Sequence, residues 1–258
     1  MIVYAIWIAG LVLELAILLR ALATRMYVHF PVFYSYIFCV FASSAGLWPI
    51  YARNRELYHR LFWYSEFITL IMGYGVVLEI THHAFKEYPG ADRIARYAGF
   101  GAFAAIFGWF GISAALHKIP MEITALGRRI DGFDRDLRIV QAIFLGIVAV
   151  LALHYGIELS RNVRGLALGM GIFVAVSLAN MALTVVYGKS NEPPILGELV
   201  STTYDLSLGV WLMAMWSYAE VRHPPPEPGT KSDHQNTVER TREKLRTVRS
   251  HFPPAVDS

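Results

Sequence analysis

Apolar positions in this chain run in stretches of about 20 residues or slightly more, without the two-residue alternation of a half-buried strand or the narrow stripe of a soluble helix. Segments of that length are bilayer spans. Seven are predicted: Met1 to Leu22, Phe30 to Tyr51, Leu61 to Phe85, Ile94 to Leu116, Ile139 to Leu159, Gly165 to Gly188 and Ile195 to Ala219. Only helices and closed barrels satisfy their backbone in lipid, and the missing alternation excludes the barrel. The expected fold is therefore all-α: a seven-transmembrane-helix bundle over residues 1–221, followed by a disordered or amphipathic-helical tail over 222–258.

Local signals divide the spans. Pro31 suits a first helical turn, and Pro49 a last-turn break or kink. Asp131-Gly132 predicts a turn, with Asp134 as the N-cap of the fifth helix. The long connection before it, His117 to Arg138, carries Ile119, Met121, Ile123, Leu126 and Ile130 at spacing for a short interfacial helix opened by Pro120. Glu14 inside the first apolar run and Arg20 near its end argue against a cleaved export signal. Small residues recur in the fourth helix (Gly101, Ala105, Gly108, Gly111) and the sixth (Gly165, Gly169), the spacing of close helix contacts within one bundle or between subunits.

Composition agrees with a lipid environment: 55% of residues are hydrophobic and 17% charged, against about 25% charged in a soluble domain. A net charge of +3 without a basic patch interleaved with aromatics predicts no nucleic-acid partner. The single cysteine, Cys39, excludes an intrachain disulfide. Between the spans, Lys and Arg divide seven to nine across the two faces, and the seven basic residues from Arg222 to Arg249 bring the first face to fourteen. The amino terminus is accordingly expected outside and the carboxyl terminus in the cytoplasm. After Val221 the chain turns to Pro224-Pro225-Pro226, a stiff linker, and then to Val238, Leu245, Val248 and Phe252 on a charged segment. A tail of that kind suits docking on anionic lipid or a cytoplasmic protein.

An ionisable side chain at membrane depth is costly and marks function or a pairing. Glu14, Asn180 and Asp205 fall near the middle of the first, sixth and seventh spans, where they would form a polar centre for a small ligand or a proton relay. Glu79, His82 and His83 end the third span, and His154 and Glu158 the fifth. Odd-numbered spans run the same way, so these five share a membrane face and form a candidate metal or haem site. Glu66 is a lone carboxylate expected to pair with Arg60 or Arg55.

Several chemistries are excluded. The seventh span has no lysine for a retinal Schiff base and no histidine for the zinc hydrolases of seven-span type, and the chain has no P-loop, GxSxG or Rossmann fingerprint. Lys86-Glu87-Tyr88-Pro89-Gly90 with Arg93 and Arg96, Leu137-Arg138-Ile139-Val140-Gln141, and Arg164-Gly165-Leu166-Ala167-Leu168-Gly169 resemble stretches of an uncharacterised bacterial seven-span integral membrane protein family with no assigned activity. The resemblance implies a bacterial inner membrane location and no chemistry. The leading expectation is a non-enzymatic sensory or scaffolding module binding a small ligand or a partner, with no cofactor indicated. The alternatives are a metal- or haem-dependent membrane enzyme and a proton-coupled carrier. Lipid and a second copy of the chain are the remaining expected partners.

Overall fold

The computed structural model describes residues 2–116, 123–155, 157–187 and 194–217, all within the first of two units, Met1–Ala219 and Glu220–Ser258. The linker and tail readings lie outside the described residues. Seven α-helices follow one another: α1 Ile2–Thr24, α2 Pro31–Arg53, α3 Arg55–Phe85, α4 Pro89–Leu116, α5 Ile123–Tyr155, α6 Arg161–Tyr187 and α7 Pro194–Ala214, with a 3₁₀ turn at Met26–Val28. No strand occurs among the described residues. Five helices are long and apolar enough to cross a membrane, namely α1, α2, α3, α5 and α6.

Hydrophobic side chains point outward as well as inward, as a lipid-facing surface requires. Ile8, Val12, Leu15, Leu19 and Leu22 form an exposed ridge along α1, and Leu153 of α5 is 86% exposed. In water such a surface would be an aggregation site; in hydrocarbon it is solvated. Inside, α3 packs against α2, α4, α5 and α6, while α7 packs against α1 and α6. The core centres on Trp211, Phe33, Ile37, Val77 and Leu166, and a second cluster of Leu70, Tyr74, Ile130, Phe133 and Leu137 joins α3 to α5.

The connections explain where helices begin. Asn54 alone separates α2 from α3; its extended backbone breaks the helix, and its Oδ1 accepts from Leu57 N at 3.0 Å, capping α3. This cap starts α3 at Arg55, six residues before the predicted span, and Pro89 likewise opens α4 ahead of Ile94. Pro49 lies inside α2, which continues past it to Arg53.

Two expectations need correction. The turn at Asp131-Gly132 does not form: α5 is continuous from Ile123 to Tyr155. Ile130, Phe133 and Leu137 recur at helical spacing and are all buried, and that burial outweighs the helix cost of one glycine, about 1 kcal/mol. Of the interfacial-helix residues, Ile119, Pro120 and Met121 lie outside the described residues, and Ile123, Leu126 and Ile130 belong to α5. Secondly, the small residues of α4 do not serve a tight contact within the described residues, since there a side chain at Gly101, Gly108 or Gly111 would meet nothing within 4 Å. Those of α6 do serve one: a Cβ at Gly165 would strike Ala214, and one at Gly169 would strike Trp211.

Candidate functional site

One end of the bundle is closed by specific polar contacts. The Glu79 carboxylate on α3 reaches the amino terminus of α2, where Oε1 accepts from Val32 N at 3.0 Å and Oε2 from Phe33 N at 2.8 Å. Two orphan amides of a helix start are thereby satisfied from another helix. His83 Nδ1 donates to the Glu79 carbonyl at 2.9 Å, and its ring stacks on Phe30 at 4.7 Å. His82 Nδ1 lies 2.7 Å from Asp92 Oδ1, and Arg96 bonds the other oxygen of Asp92. Burial alone would raise the Asp92 carboxyl, but the bonds from His82 and Arg96 prevail and hold it below its usual range.

The end of α7 is gripped at the same face. Asn162 Nδ2 donates to Ala214 O at 2.7 Å and Ser217 O at 3.0 Å, and Arg20 donates to Trp216 O at 2.9 and 2.7 Å while lying 4.6 Å over the Trp216 ring. The five metal candidates therefore have structural surroundings. Glu79 and His82 bond as described, and His154 and Glu158 are exposed. Among the described residues no three of His, Cys, Asp and Glu converge to hold a metal ion.

The opposite end is hollow. A cavity of about 680 Å³ lies among the amino-terminal half of α1, the second half of α2 and the first half of α7. Four carboxylates line it, Glu14, Glu66, Glu198 and Asp205, together with the guanidinium of Arg138. Glu14 is 2% exposed; its Oε1 accepts from the Tyr204 hydroxyl at 3.0 Å, and its Oε2 is buried with no partner among the described residues. Tyr204 shares the lining of a neighbouring cavity with Tyr36. Asp205 sits directly against the α1 backbone, where a Cβ at Gly10 would lie 2.8 Å from its Oδ1. Glycine is what permits this approach.

Arg138 is not the loop residue its position suggested. Its Nε stands 2.7 Å from Asp134 Oδ1 in an i, i+4 ion pair without hydrogen-bond alignment, and its guanidinium lies 4.8 Å over the Phe173 ring. Glu66 interacts electrostatically with Arg138 and Asp134, not with the partners its sequence position offered. Arg60 pairs with Glu56 at 2.6 Å, and Arg55 covers Tyr51. Glu66 and Arg138 also line a smaller cavity of about 160 Å³ with Tyr36, Gln141 and Tyr204. On its other side Glu66 borders a third cavity, about 620 Å³, whose walls are largely aromatic: Tyr4, Trp7, Trp48, Tyr51, Tyr58 and Phe62. Trp7 stacks on Trp48 at 4.8 Å, and Tyr51 meets Tyr58 edge-on at 5.0 Å.

The predicted polar centre is thus assembled in part. Glu14 and Asp205 face one cavity, whereas Asn180 is not among its lining residues; the Asn180 Oδ1 is buried without a partner among the described residues. Sequence reasoning missed the Tyr36 and Tyr204 hydroxyls, Glu198, and the deep placement of Arg138. Only the last had a readable signal, the i, i+4 spacing of Asp134 and Arg138 on a segment with helical apolar periodicity. Comparison with protein-family models, with curated proteins and with solved structures gives no match for this chain.

Proposed function

We propose that this protein is a non-enzymatic seven-span module of the bacterial inner membrane that binds a small ligand in the cavity faced by Glu14 and Asp205. The family resemblance over the membrane domain belongs to the same proposal. The observation that carries the ligand reading is the buried, unpartnered Glu14 Oε2 on the wall of a 680 Å³ chamber. A carboxylate kept at that depth without a full set of partners costs several kcal/mol, about 2.5–3.5 on insertion scales, so a selected guest is the simplest reason to retain it. In detergent, at least one compound from a panel of small cations, anions and neutral molecules is expected to raise the thermal midpoint. Saturation at about 100 times Kd adds about 2.7 kcal/mol. Val200→Trp, which fills the chamber from α7, should abolish the effect. A panel with no stabilising compound, or stabilisation that survives the tryptophan, overturns the reading.

The excess of Lys and Arg on the face of the tail supports an external amino terminus and a cytoplasmic carboxyl terminus, and the seven spans of this proposal add α4 and α7 to the five apolar helices. At 28 and 21 residues they are about 42 and 31 Å long at about 1.5 Å per residue, and both pack alongside spanning helices. With Cys39 replaced by serine, Tyr88→Cys is expected to react with a membrane-impermeant maleimide only from the cytoplasmic face. Arg53→Cys and Lys118→Cys should react from outside. Labelling of positions 88 and 118 from one face would remove α4 from the set of spans.

A second reading, a proton-coupled carrier, is favoured by the Tyr204 hydroxyl on Glu14, because Tyr204 lines both the main chamber and the smaller cavity bordered by Tyr36, Glu66 and Arg138. A hydroxyl bonded to a carboxylate between two cavities is suited to passing a proton. The sensory and carrier readings share the same ligand chamber.

A further inference from the structure

The charge and the walls of the hollow end define the class of guest. Four carboxylates face the chamber against one guanidinium, and that guanidinium is already committed, to Asp134 on one side and to the Phe173 face on the other. The wall is therefore acidic after its internal pairing is counted. An acidic cluster alone says little, because carboxylates often gather on solvated surfaces. Here Glu14 is 2% exposed, and the oxygen not used by Tyr204 has no partner among the described residues. A buried carboxyl oxygen demands an opposite charge or a hydrogen bond, and no described residue supplies a hydrogen bond to that atom.

A bare metal ion fits poorly, since no three suitable ligands converge among the described residues. The remaining surface is apolar and aromatic. Ile6, Leu11, Trp7 and Phe173 share the chamber with the acids, and the neighbouring cavity, joined through Trp7, Val40, Ser44 and Glu66, is walled by tyrosine and tryptophan rings. Acidic groups combined with aromatic side chains are the chemistry that holds ammonium groups: the carboxylates neutralise the charge and the rings receive its poorly hydrated substituents. An anion would meet four acidic groups against one guanidinium, and a neutral guest without a hydrogen-bond donor would leave Glu14 Oε2 without a partner.

We infer that the ligand is an organic cation, an amine or quaternary ammonium with an apolar body, its charged head between Glu14 and Asp205 and its body toward the aromatic cavity at the α2–α3 corner. This rests on the small-ligand reading above and narrows it. The test uses the full chain in a maltoside detergent and three probes of matched shape: phenyltrimethylammonium, its neutral isostere tert-butylbenzene, and the anion benzenesulfonate. Calorimetric titration is expected to show saturable binding of the cation at one site, abolished by Val200→Trp. Glu14→Gln should weaken it about tenfold or more, as should Asp205→Asn, which alters a partly exposed residue and guards against a folding defect in the first variant. Equal or tighter binding of the neutral or anionic probe, lost in Val200→Trp, overturns the cation and leaves the ligand chamber standing. Binding of none of the three also overturns the cation, and a stabilising compound of other chemistry in the wider panel then tells whether the chamber reading survives. Full affinity in both carboxylate variants removes these acids from recognition and with them the proposal.

Discussion

Glu79→Ala is expected to remove most of the folded protein from a mild-detergent extract, with a loss of about 3 kcal/mol or more. The carboxylate spends both oxygens on Val32 N and Phe33 N, and the residue bearing the second amide, Phe33, is fully buried. Each buried donor left without an acceptor costs about 1–3 kcal/mol; here the Phe33 amide is buried and the Val32 amide partly so. Glu79→Gln keeps one acceptor oxygen but turns an amide nitrogen toward a backbone N–H, so its loss should fall between alanine and wild type. The measurement is the thermal midpoint of the purified protein followed by size-exclusion chromatography. An alanine variant as stable as wild type would show that the carboxylate does not hold α2 in place.

Gly169→Leu is expected to come next in severity. A Cβ at this position would lie 2.3 Å from Trp211 Nε1, well inside contact distance, and Trp211 is fully buried. The indole must move, giving up its bond to the Leu166 carbonyl at 3.3 Å and its edge-on packing against Phe33. Overpacking of this kind costs about 1–3 kcal/mol, and the lost hydrogen bond adds about 1. Gly171→Leu is the internal control, because nothing lies within 4 Å of a Cβ there. A lower midpoint and a red-shifted tryptophan emission are expected for the first variant only. Matching behaviour of the two would mean that α6 and α7 do not approach each other at Gly169.

These two residues also show what a linear reading conveys. The spacing of Gly165 and Gly169 announced a close helix contact, and the contact exists; Gly101, Gly108 and Gly111 of α4 announced one that no described residue makes. Small residues state that a helix can be approached, not that it is. Glu79 was visible as an ionisable group at a span end, and its chemistry suggested a metal ligand. Its actual role depends on the start of α2 being folded beside it, 46 to 47 residues away in sequence. Helix existence was legible because apolar length is a property of consecutive residues. Helix starts were less so, since Asn54 and Pro89 set them through local hydrogen bonding and steric limits that outweigh polarity.

The candidate site divides along the same line. Glu14 and Asp205 stood out because carboxylates are rare at that depth, and they do face one chamber. Tyr204 and Tyr36 did not stand out, since a tyrosine in a span reads as apolar until its hydroxyl finds a partner in the folded bundle. Glu66 stood out, but with the wrong companion: Arg55 and Arg60 of α3 are exposed and engage Tyr51 and Glu56, whereas Arg138, 72 positions later, is brought to its side by the unbroken course of α5.

Asn54 is a linker of one residue, and it leaves no slack between the two helices it joins. α2 and α3 pack against each other across this bend as a two-pronged fork, with Tyr51 and Tyr58 set edge-on at 5.0 Å on either side of it. Across the chamber α1 and α7 are laced together twice, by Tyr204 on Glu14 beside the close approach of Asp205 to Gly10, and by Arg20 at the far end. The acidic chamber thus lies between a short-linked fork and a laced pair of helices.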